Sequence, residues 1–486
     1  MPRPIPLGIA LVPVVFLMLA LAYNVGWVFG DESTSGSIQI ILFLSAFVAA
    51  GLAALYGRTF TALFDGVAQN LREAGKALVI LLLIGALSGA WLVSGIIPTL
   101  IYYGLEVLHP SYFLIATLLF CSVVSLSTGS SWSTSATVGI ALMGVGQALG
   151  FSPGLVAGAV ISGAYFGDKM SPFSDTTNLA PAMAGTDLFT HIRHMTITTV
   201  PTYLITLTVF GLWGIIDPPA VIESQNLALS ENLHNAVNIS PWLLLVPALS
   251  LGLILWKVDA IVAIAVGTLG GSVAALIAQP ELILHISGEA AWNFSSAYKG
   301  IMMVLYGPVN IPSADPILTE LLQSNGMEGM MSTIWLIIGA MTFGGVMEAA
   351  GFLTRITTAL VSMAHTSAGL IGATLATCGL LNVTAADQYL AIVIPGRMFK
   401  EAYANRGLAP QNLSRALEDS GTVTSVLVPW NTCGAYQSVT LGVATGDYFA
   451  YAIFNWLSPI TNFVVALLGY KITKITTSAS SASNEA

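Results

Sequence analysis

Charge is what this sequence has least of. Asp, Glu, Lys and Arg make up 8% of its 486 residues, where a soluble domain carries about 25%. That deficit excludes an ordinary soluble globular fold. Basic residues are scarcer than acidic ones, 15 against 24, for a formal net charge of −9. They form no cluster and no basic, aromatic-rich stretch, so nucleic acid is offered no electrostatic footprint. Cysteine is also rare. Cys121, Cys378 and Cys433 are odd in number and lie in apolar or small-residue segments, which gives neither a disulfide framework nor a metal-ligand spacing.

Hydrophobic residues, at 55%, are what the chain has in excess. Apolar runs able to cross hydrocarbon lie at 7–29, 38–56, 77–97, 196–216, 241–256, 259–278, 332–352 and 447–470. The chain therefore reads as an all-α polytopic membrane protein. Its first run carries Ala20-Leu21-Ala22, which resembles a signal-peptide cleavage site, but the many later runs favour a retained first span. Thr476 to Ala486 is Ser- and Ala-rich and reads as a disordered tail. Arg3, Arg58, Arg72 and Lys76 flank the first two spans on one side, with Asp31, Glu32 and the acid-bearing stretch 217–240 on the other. By the positive-inside rule the N-terminus is cytoplasmic.

Two regions resist reading as simple spans. Segment 111–149 has apolar arms 111–126 and 136–149 around a polar tip, Ser127 to Ser135. Each arm reaches about 21–24 Å, short of a hydrocarbon core of about 30 Å, which suits a re-entrant hairpin. Segment 154–187 is a crossing interrupted by the polar run Gly167 to Asn178. Sliding the chain against itself by about 256 residues aligns Thr128 with Thr384, Ser162-Gly163 with Ser420-Gly421, and Pro172 with Pro429, the mark of an internal repeat.

A second hairpin then falls at 367–396 and a second break at Val428 to Gly434. The count is ten crossings plus two re-entrant hairpins, in two inverted-topology repeats with discontinuous helices and both termini cytoplasmic. Arg193, Lys257, Arg355, Arg397, Lys400, Arg406, Arg415, Lys471 and Lys474 become cytoplasmic, and Lys299 stays outside. The expected organisation is two N-terminal spans and a cytoplasmic loop (1–76), repeat one (77–216), a connecting region with two spans and an external segment (217–331), repeat two (332–471) and a cytoplasmic tail (472–486).

The first break contains Asp168, Lys169 and Asp175 beside Ser171, Ser174, Thr176, Thr177 and Asn178. An unpaired charge at the centre of a span costs about 2.5–3.5 kcal/mol, so the fold must compensate these. In one reading Asp168 and Asp175 join hydroxyls and backbone carbonyls around a hard cation. A carboxylate that holds either a proton or a metal cation, but not both, couples their fluxes. In the other reading Asp168 pairs with Lys169 and Asp175 caps the next helix. Lys169 could also respond to protons itself.

Neutral ligands are available at Asn431 and Thr432 in the second break, and the hairpin tips add Thr128 and Asp387. Glu348 lies near the end of an apolar run, where it can snorkel. His191 and His194 share one helix face and read as interfacial or pH-sensing. Gly339 to Gly351 reads as a close-packing stripe. Gly129-Ser130-Ser131-Trp132 with His365 offers a weak intramembrane-protease alternative, and a channel is a third class.

The stretch Ser162 to Pro181, SGAYFGDKMSPFSDTTNLAP, resembles the signature of the NhaC family of Na⁺/H⁺ antiporters, with Phe343 to Glu348 and Val428 to Thr432 as further family-like features. Phe173 stands where Leu is expected. The resemblance covers most of residues 75–450. It implies a bacterial inner-membrane secondary antiporter that exports Na⁺ against entering protons by alternating access, with no resident cofactor. Members of the wider ion-transporter superfamily are often homodimers. The same family includes Na⁺-coupled malate and lactate exchangers, for which an arginine clamp is expected. Neither break contains Arg, so plain Na⁺/H⁺ exchange is the preferred expectation and organic-acid exchange the alternative.

Overall fold

Inside hydrocarbon a backbone must satisfy its own polar groups, and this chain does so almost entirely by helix. The computed structural model describes residues 4–29, 36–219, 231–313 and 316–475. Arg3, Asp31, Glu32, residues 220–230, Asp315 and the tail from Thr476 lie outside the described residues. Eight described helices are long and apolar enough to cross a bilayer, and four shorter apolar ones accompany them. The chain is an all-α, multi-pass membrane protein.

The N-terminal part comprises α1 (Leu7–Tyr23), α2 (Ser37–Leu55) and α3 (Phe60–Val93). At 34 residues, α3 is about 51 Å long. It absorbs most of the stretch expected as a cytoplasmic loop, because Thr59 caps it through the Ala62 N–H at 3.3 Å, well before the apolar run begins. Next come α4 (Ile96–Val107), α5 (Pro110–Thr128) and α6 (Ser131–Thr134), which continues through a π-helical turn, Ser135–Gly139, into α7 (Ile140–Ala148). The broken crossing is α8 (Pro153–Met170) with α9 (Asp175–Ala184), followed by α10 (Leu188–Ile216).

Connecting helices α11 (Leu245–Leu255), α12 (Ala260–Ala278), α13 (Pro280–Ser287), α14 (Phe294–Tyr306) and α15 (Pro316–Leu321) lead to α16 (Met331–Ala350). The only described strands are β1 (Val309–Asn310) and β2 (Gln323–Ser324), an antiparallel pair beside α15.

The series then recurs. Its members are α17 (Phe352–Met363), α18 (Ser367–Thr384), α19 (Gln388–Asn405), α20 (Pro410–Leu417), α21 (Thr432–Leu441), α22 (Thr445–Phe449) and α23 (Ile453–Leu467). Helix starts at 96, 110, 131, 153 and 175 return at 352, 367, 388, 410 and 432, an offset of 256 or 257. Left-handed glycines recur with them, Gly95 (φ 84°) with Gly351 (φ 83°) and Gly185 (φ 88°) with Gly442 (φ 68°).

Each broken crossing fails at a proline. Pro172 and Pro429 lack an N–H and push the preceding residue out of the helical region, leaving Ser171–Ser174 and Val428–Asn431 non-helical, with the 3₁₀ turn Ser425–Leu427 just before the second. The first break is narrower than the expected Gly167–Asn178, while the second ends at Asn431, before the expected Gly434, but begins earlier, since the chain has already left the helix at Val423. Asp168 and Lys169 therefore sit in the last turn of α8, and Asp175 lies in the first turn of α9 without capping it. The cap is Ser174, whose Oγ accepts from the Thr177 N–H at 3.3 Å.

The hairpin tips also shrink, to Gly129-Ser130 and to Ala385-Ala386-Asp387. Flanking hydroxyls bond back to their own helix, Ser127 to Val123 O and Thr384 to Leu380 O, both at 2.8 Å. Arms longer than expected result, about 28 Å for the 19-residue α5. The expected single run 447–470 divides at Ala450–Ala452 between α22 and α23.

Each tip meets the break of its own repeat. Gly129 (φ 71°) lies so close to the Phe173 and Ser174 backbone that any Cβ would collide with it. Ala386 takes a left-handed φ of 58° and turns its carbonyl to accept the Thr432 N–H at 3.0 Å. Left-handed backbone costs a residue with a Cβ about 1–2 kcal/mol. Gly129→Ala accordingly should lower the thermal midpoint of the detergent-solubilised protein by several degrees, whereas Gly8→Ala, where a Cβ meets nothing within 4 Å, leaves it unchanged; paired melting curves check this.

Candidate functional site

A helix that stops inside a protein leaves carbonyls and N–H groups that need partners. Thr177 supplies them at the first break, its Oγ1 donating to Asp168 O at 3.1 Å and Lys169 O at 3.0 Å. Asn178 Nδ2 donates to Pro172 O at 2.9 Å and to Ser174 O at 2.7 Å. Thr128 Oγ1 sits between Ser125 O and the Ser130 N–H, both at 3.4 Å. In the second break Asn431 donates to Asn382 O at 3.0 Å and accepts from the Cys433 N–H at 3.0 Å. These four expected cation ligands are engaged in holding backbone, and none of them lines the cavity described next.

Asp168, Asp175, Thr176, Asp387 and Thr432 do converge, on a cavity of about 420 Å³ between the two breaks. Asp168 is buried, and its Oδ2 accepts from the Ser131 N–H at 3.0 Å and the Ser131 hydroxyl at 2.7 Å. A carboxylate thus sits on the first N–H of α6, at the end where the helix dipole favours it. The hydroxyl of Ser131 is committed to Asp168, and no imidazole is bonded to it as a protease would require.

Asp387 contributes from the other repeat. Its Oδ1 caps α19, accepting from the Tyr389 and Leu390 N–H groups at 2.8 and 3.1 Å, while Oδ2 faces the Thr432 hydroxyl at 3.4 Å. Capping and lining the cavity are here one role. Thr176 reaches across the repeats, donating to Glu418 Oε1 at 3.1 Å. Beneath the acids, the Trp132 and Tyr436 rings stack at 3.9 Å, and the Tyr436 hydroxyl donates to Trp132 O at 2.9 Å.

Glu73 and Asp175 are exposed at the rim, beside Lys76. Four carboxylates line the cavity against this one ammonium, whose Nζ is already bonded to Asp259 at 2.9 Å. Low-dielectric walls focus such a field and raise the local concentration of cations. No three carboxylate, imidazole or thiolate groups among the described residues lie close enough to share one metal ion. One or two carboxylates with hydroxyl and carbonyl oxygens suit a weakly charged, hard cation.

Several expectations are corrected. Lys169 does not pair with Asp168; it points away from the cavity, wholly buried, and bonds Asp419. Arg415, counted with the cytoplasmic charges, is fully buried in the protein whichever side it lies on, and its guanidinium has no hydrogen-bond partner among the described residues. His191 and His194 are buried rather than interfacial because α20 packs over the start of α10; they meet Ser414 Oγ at 2.8 Å and Asn412 Oδ1 at 3.3 Å. Phe173, the departure from the expected Leu, lies under Lys257 Nζ at 3.6 Å, a cation–π contact. Glu348 is exposed at the end of α16.

Sequence reasoning took Ser131 only as a polar tip residue or a weak protease motif, and passed over Glu73, Glu418 and Asp419. For the last two a signal was present, since adjacent acids ten residues before the second break are intramembrane charges of the kind that earns attention.

This geometry agrees with what the chain resembles. The Na⁺/H⁺ antiporter family model matches residues 163–470, which contain both breaks. The chain belongs to that family. The Na⁺/H⁺ antiporter NhaC of Alkalihalophilus pseudofirmus is 36% identical over 428 residues, 87% of this chain and 89% of its own. The malate-2H⁺/Na⁺-lactate antiporter of Bacillus subtilis is 35% identical over 457 residues, 94% and 92%. A second NhaC, from Bacillus subtilis, is 32% identical over 431 residues, 88% and 92%.

Removing one buried carboxylate should cost a bound cation one charge-assisted interaction, about 1.5–3 kcal/mol, or roughly 10- to 100-fold in affinity. Asp168→Asn and Asp387→Asn are each expected to weaken ²²Na⁺ binding by that factor. Thr177→Val should instead lower the thermal midpoint and leave the affinity of the folded fraction intact. Equilibrium binding to purified protein, run beside melting curves, checks all three.

Proposed function

We propose that the chain is a secondary active antiporter exchanging Na⁺ for H⁺ across a bacterial cytoplasmic membrane. The observation that carries this reading is the anionic cavity between two helix breaks, with a buried acid from each repeat, Asp168 and Asp387, facing it. Discontinuous helices around a central site are the usual machinery of alternating access. Each tip lies halfway along the broken crossing of its repeat, which supports two opposed re-entrant hairpins ending near mid-depth. Transport rather than catalysis is the role assigned, with no cofactor; a homodimer is the expected assembly.

The rim carries Lys76, and outside the cavity Lys257 lies over Phe173 of the first break. By the positive-inside rule this face is cytoplasmic, so the cavity is open to the side from which Na⁺ is exported. The cation enters past Glu73 and Asp175 and settles among Asp168, Thr176, Asp387 and Thr432. There it replaces protons, because a carboxylate oxygen that carries a proton is a poor cation ligand.

The malate and lactate exchanger among the relatives supports the alternative reading, Na⁺-coupled organic-acid exchange. Against it stands the supply of cations. Lys169 and Arg415 are sealed away from the cavity, and Lys76 is bonded to Asp259. A dicarboxylate would enter a site already crowded with acids.

Proton movement in everted vesicles or proteoliposomes under an imposed pH gradient tests the choice. NaCl alone is expected to dissipate the gradient, KCl to do so less, and Asp168→Asn to abolish the Na⁺ response. Dissipation that requires sodium malate with lactate would establish the organic-acid exchanger instead.

A further inference from the structure

Behind the cavity wall lies a second set of charges that the exchange reading does not use. The π-helical turn Glu418–Thr422, which continues α20, aims two adjacent acids into the protein. A π turn is rare and commonly marks a functional position. Glu418 reaches forward to the cavity residue Thr176, and Asp419 reaches back to Lys169.

Asp419 is saturated. Its Oδ1 takes Lys169 Nζ from α8, and its Oδ2 accepts from Thr198 Oγ1 of α10 at 2.8 Å and Asn462 Nδ2 of α23 at 2.6 Å. Neither Lys169 nor Asp419 has any exposed side chain. One carboxylate thus joins four elements, two from each repeat, and neither it nor Lys169 lines the cavity.

Helix geometry shows what this junction controls. Consecutive helical residues point about 100° apart, so anchoring Lys169 inward fixes the rotation of the last turn of α8 and turns Asp168 toward the cavity. The same logic applies across the repeat boundary, where anchoring Asp419 sets the neighbouring Glu418 against Thr176. We infer that the Lys169–Asp419 pair is a positioning device for the cation site, holding Asp168 and Thr176 at their places in the cavity while carrying neither Na⁺ nor protons itself. This rests on the antiport reading above, whose own test is the wild-type protein.

Removing one partner leaves a buried charge uncompensated, whereas replacing both with apolar residues of similar volume is often tolerated. The experiment is therefore a double-mutant cycle in proteoliposomes, with Na⁺-driven proton movement measured across Na⁺ concentration and pH. Lys169→Met and Asp419→Leu alone are expected to lose transport and thermal stability. Together they should recover stability and proton-coupled turnover, with the KM for Na⁺ raised roughly 10- to 100-fold, the usual effect of losing support behind a metal ligand, and the pH profile unchanged.

A double variant that is stable but uncoupled from protons, or has a shifted pH profile, overturns the proposal by putting the pair in the proton path. One with wild-type KM overturns it by making the pair merely structural. Should the double variant not fold, Lys169→Arg decides: the retained ion pair with altered geometry is expected to raise KM at constant pH profile, and a moved pH profile or an unmoved KM rejects the idea. A wild type without Na⁺-driven proton movement would instead sink the antiport reading itself.

Discussion

The constraint on which this structure depends is that two helices stop inside a membrane protein, and their loose ends must be tied. A buried backbone group left unpaired costs about 1–3 kcal/mol, and each break presents several. Proline creates the need at Pro172 and Pro429, and local side chains meet it: Thr177 and Asn178 at the first break, Asn431 at the second. The hairpin tips complete the closure, with Gly129 pressed against Ser174 and the Ala386 carbonyl on the Thr432 N–H. Once the ends are tied, the remaining polar atoms, chiefly Asp168, Thr176, Asp387 and Thr432, are free to face the cavity. Tying off and lining the cavity are thus divided between adjacent residues, Thr177 with Thr176 and Asn431 with Thr432.

Charge is divided in the same way. Cations that would neutralise the cavity are kept from it, since Lys169 is turned inward to Asp419 and Arg415 is sealed beside α10 and α18. A buried ion pair seldom adds net stability over well-packed apolar residues. Asp419 is nonetheless furnished with two further donors, Thr198 and Asn462, so its charge is compensated in full and contributes geometry in place of stability. Glu418, its neighbour, bonds through one oxygen only, to Thr176.

Much of this was legible in the chain, for reasons that also explain where legibility ended. The repeat was readable because matching residues, among them Thr128 with Thr384, Ser162-Gly163 with Ser420-Gly421 and Pro172 with Pro429, recur in one order at a nearly constant offset. Asp168 and Asp387 stood out because charge is rare among long apolar runs. What could not be read was direction. Thr176 and Thr177 are chemically alike, yet one faces the cavity and the other a carbonyl, and only the rotation of α9 separates them. One of the open readings paired Lys169 with Asp168 by adjacency, whereas its partner lies 250 residues on. Arg415 was read only as one of the cytoplasmic charges because the positive-inside rule counts charges and does not tell a buried side chain from an exposed one. The first break was drawn too wide because it was bounded by its polar side chains, whereas Asp168, Lys169, Thr176 and Thr177 are polar and still helical.

The cavity's electrostatics then bear on why such a site exchanges ions rather than leaking them. Glu73, Asp168, Asp175 and Asp387 share it, Lys76 is already matched by Asp259, and the inner pair is electrically closed. Like charges gathered around one cavity repel, so on the antiport reading proposed above the empty cavity with every acid ionised is its least favourable state, and either Na⁺ or protons would relieve that repulsion. Competition for the same carboxylates, in a cavity with more acid than the protein itself neutralises, is the basis that reading gives for coupling.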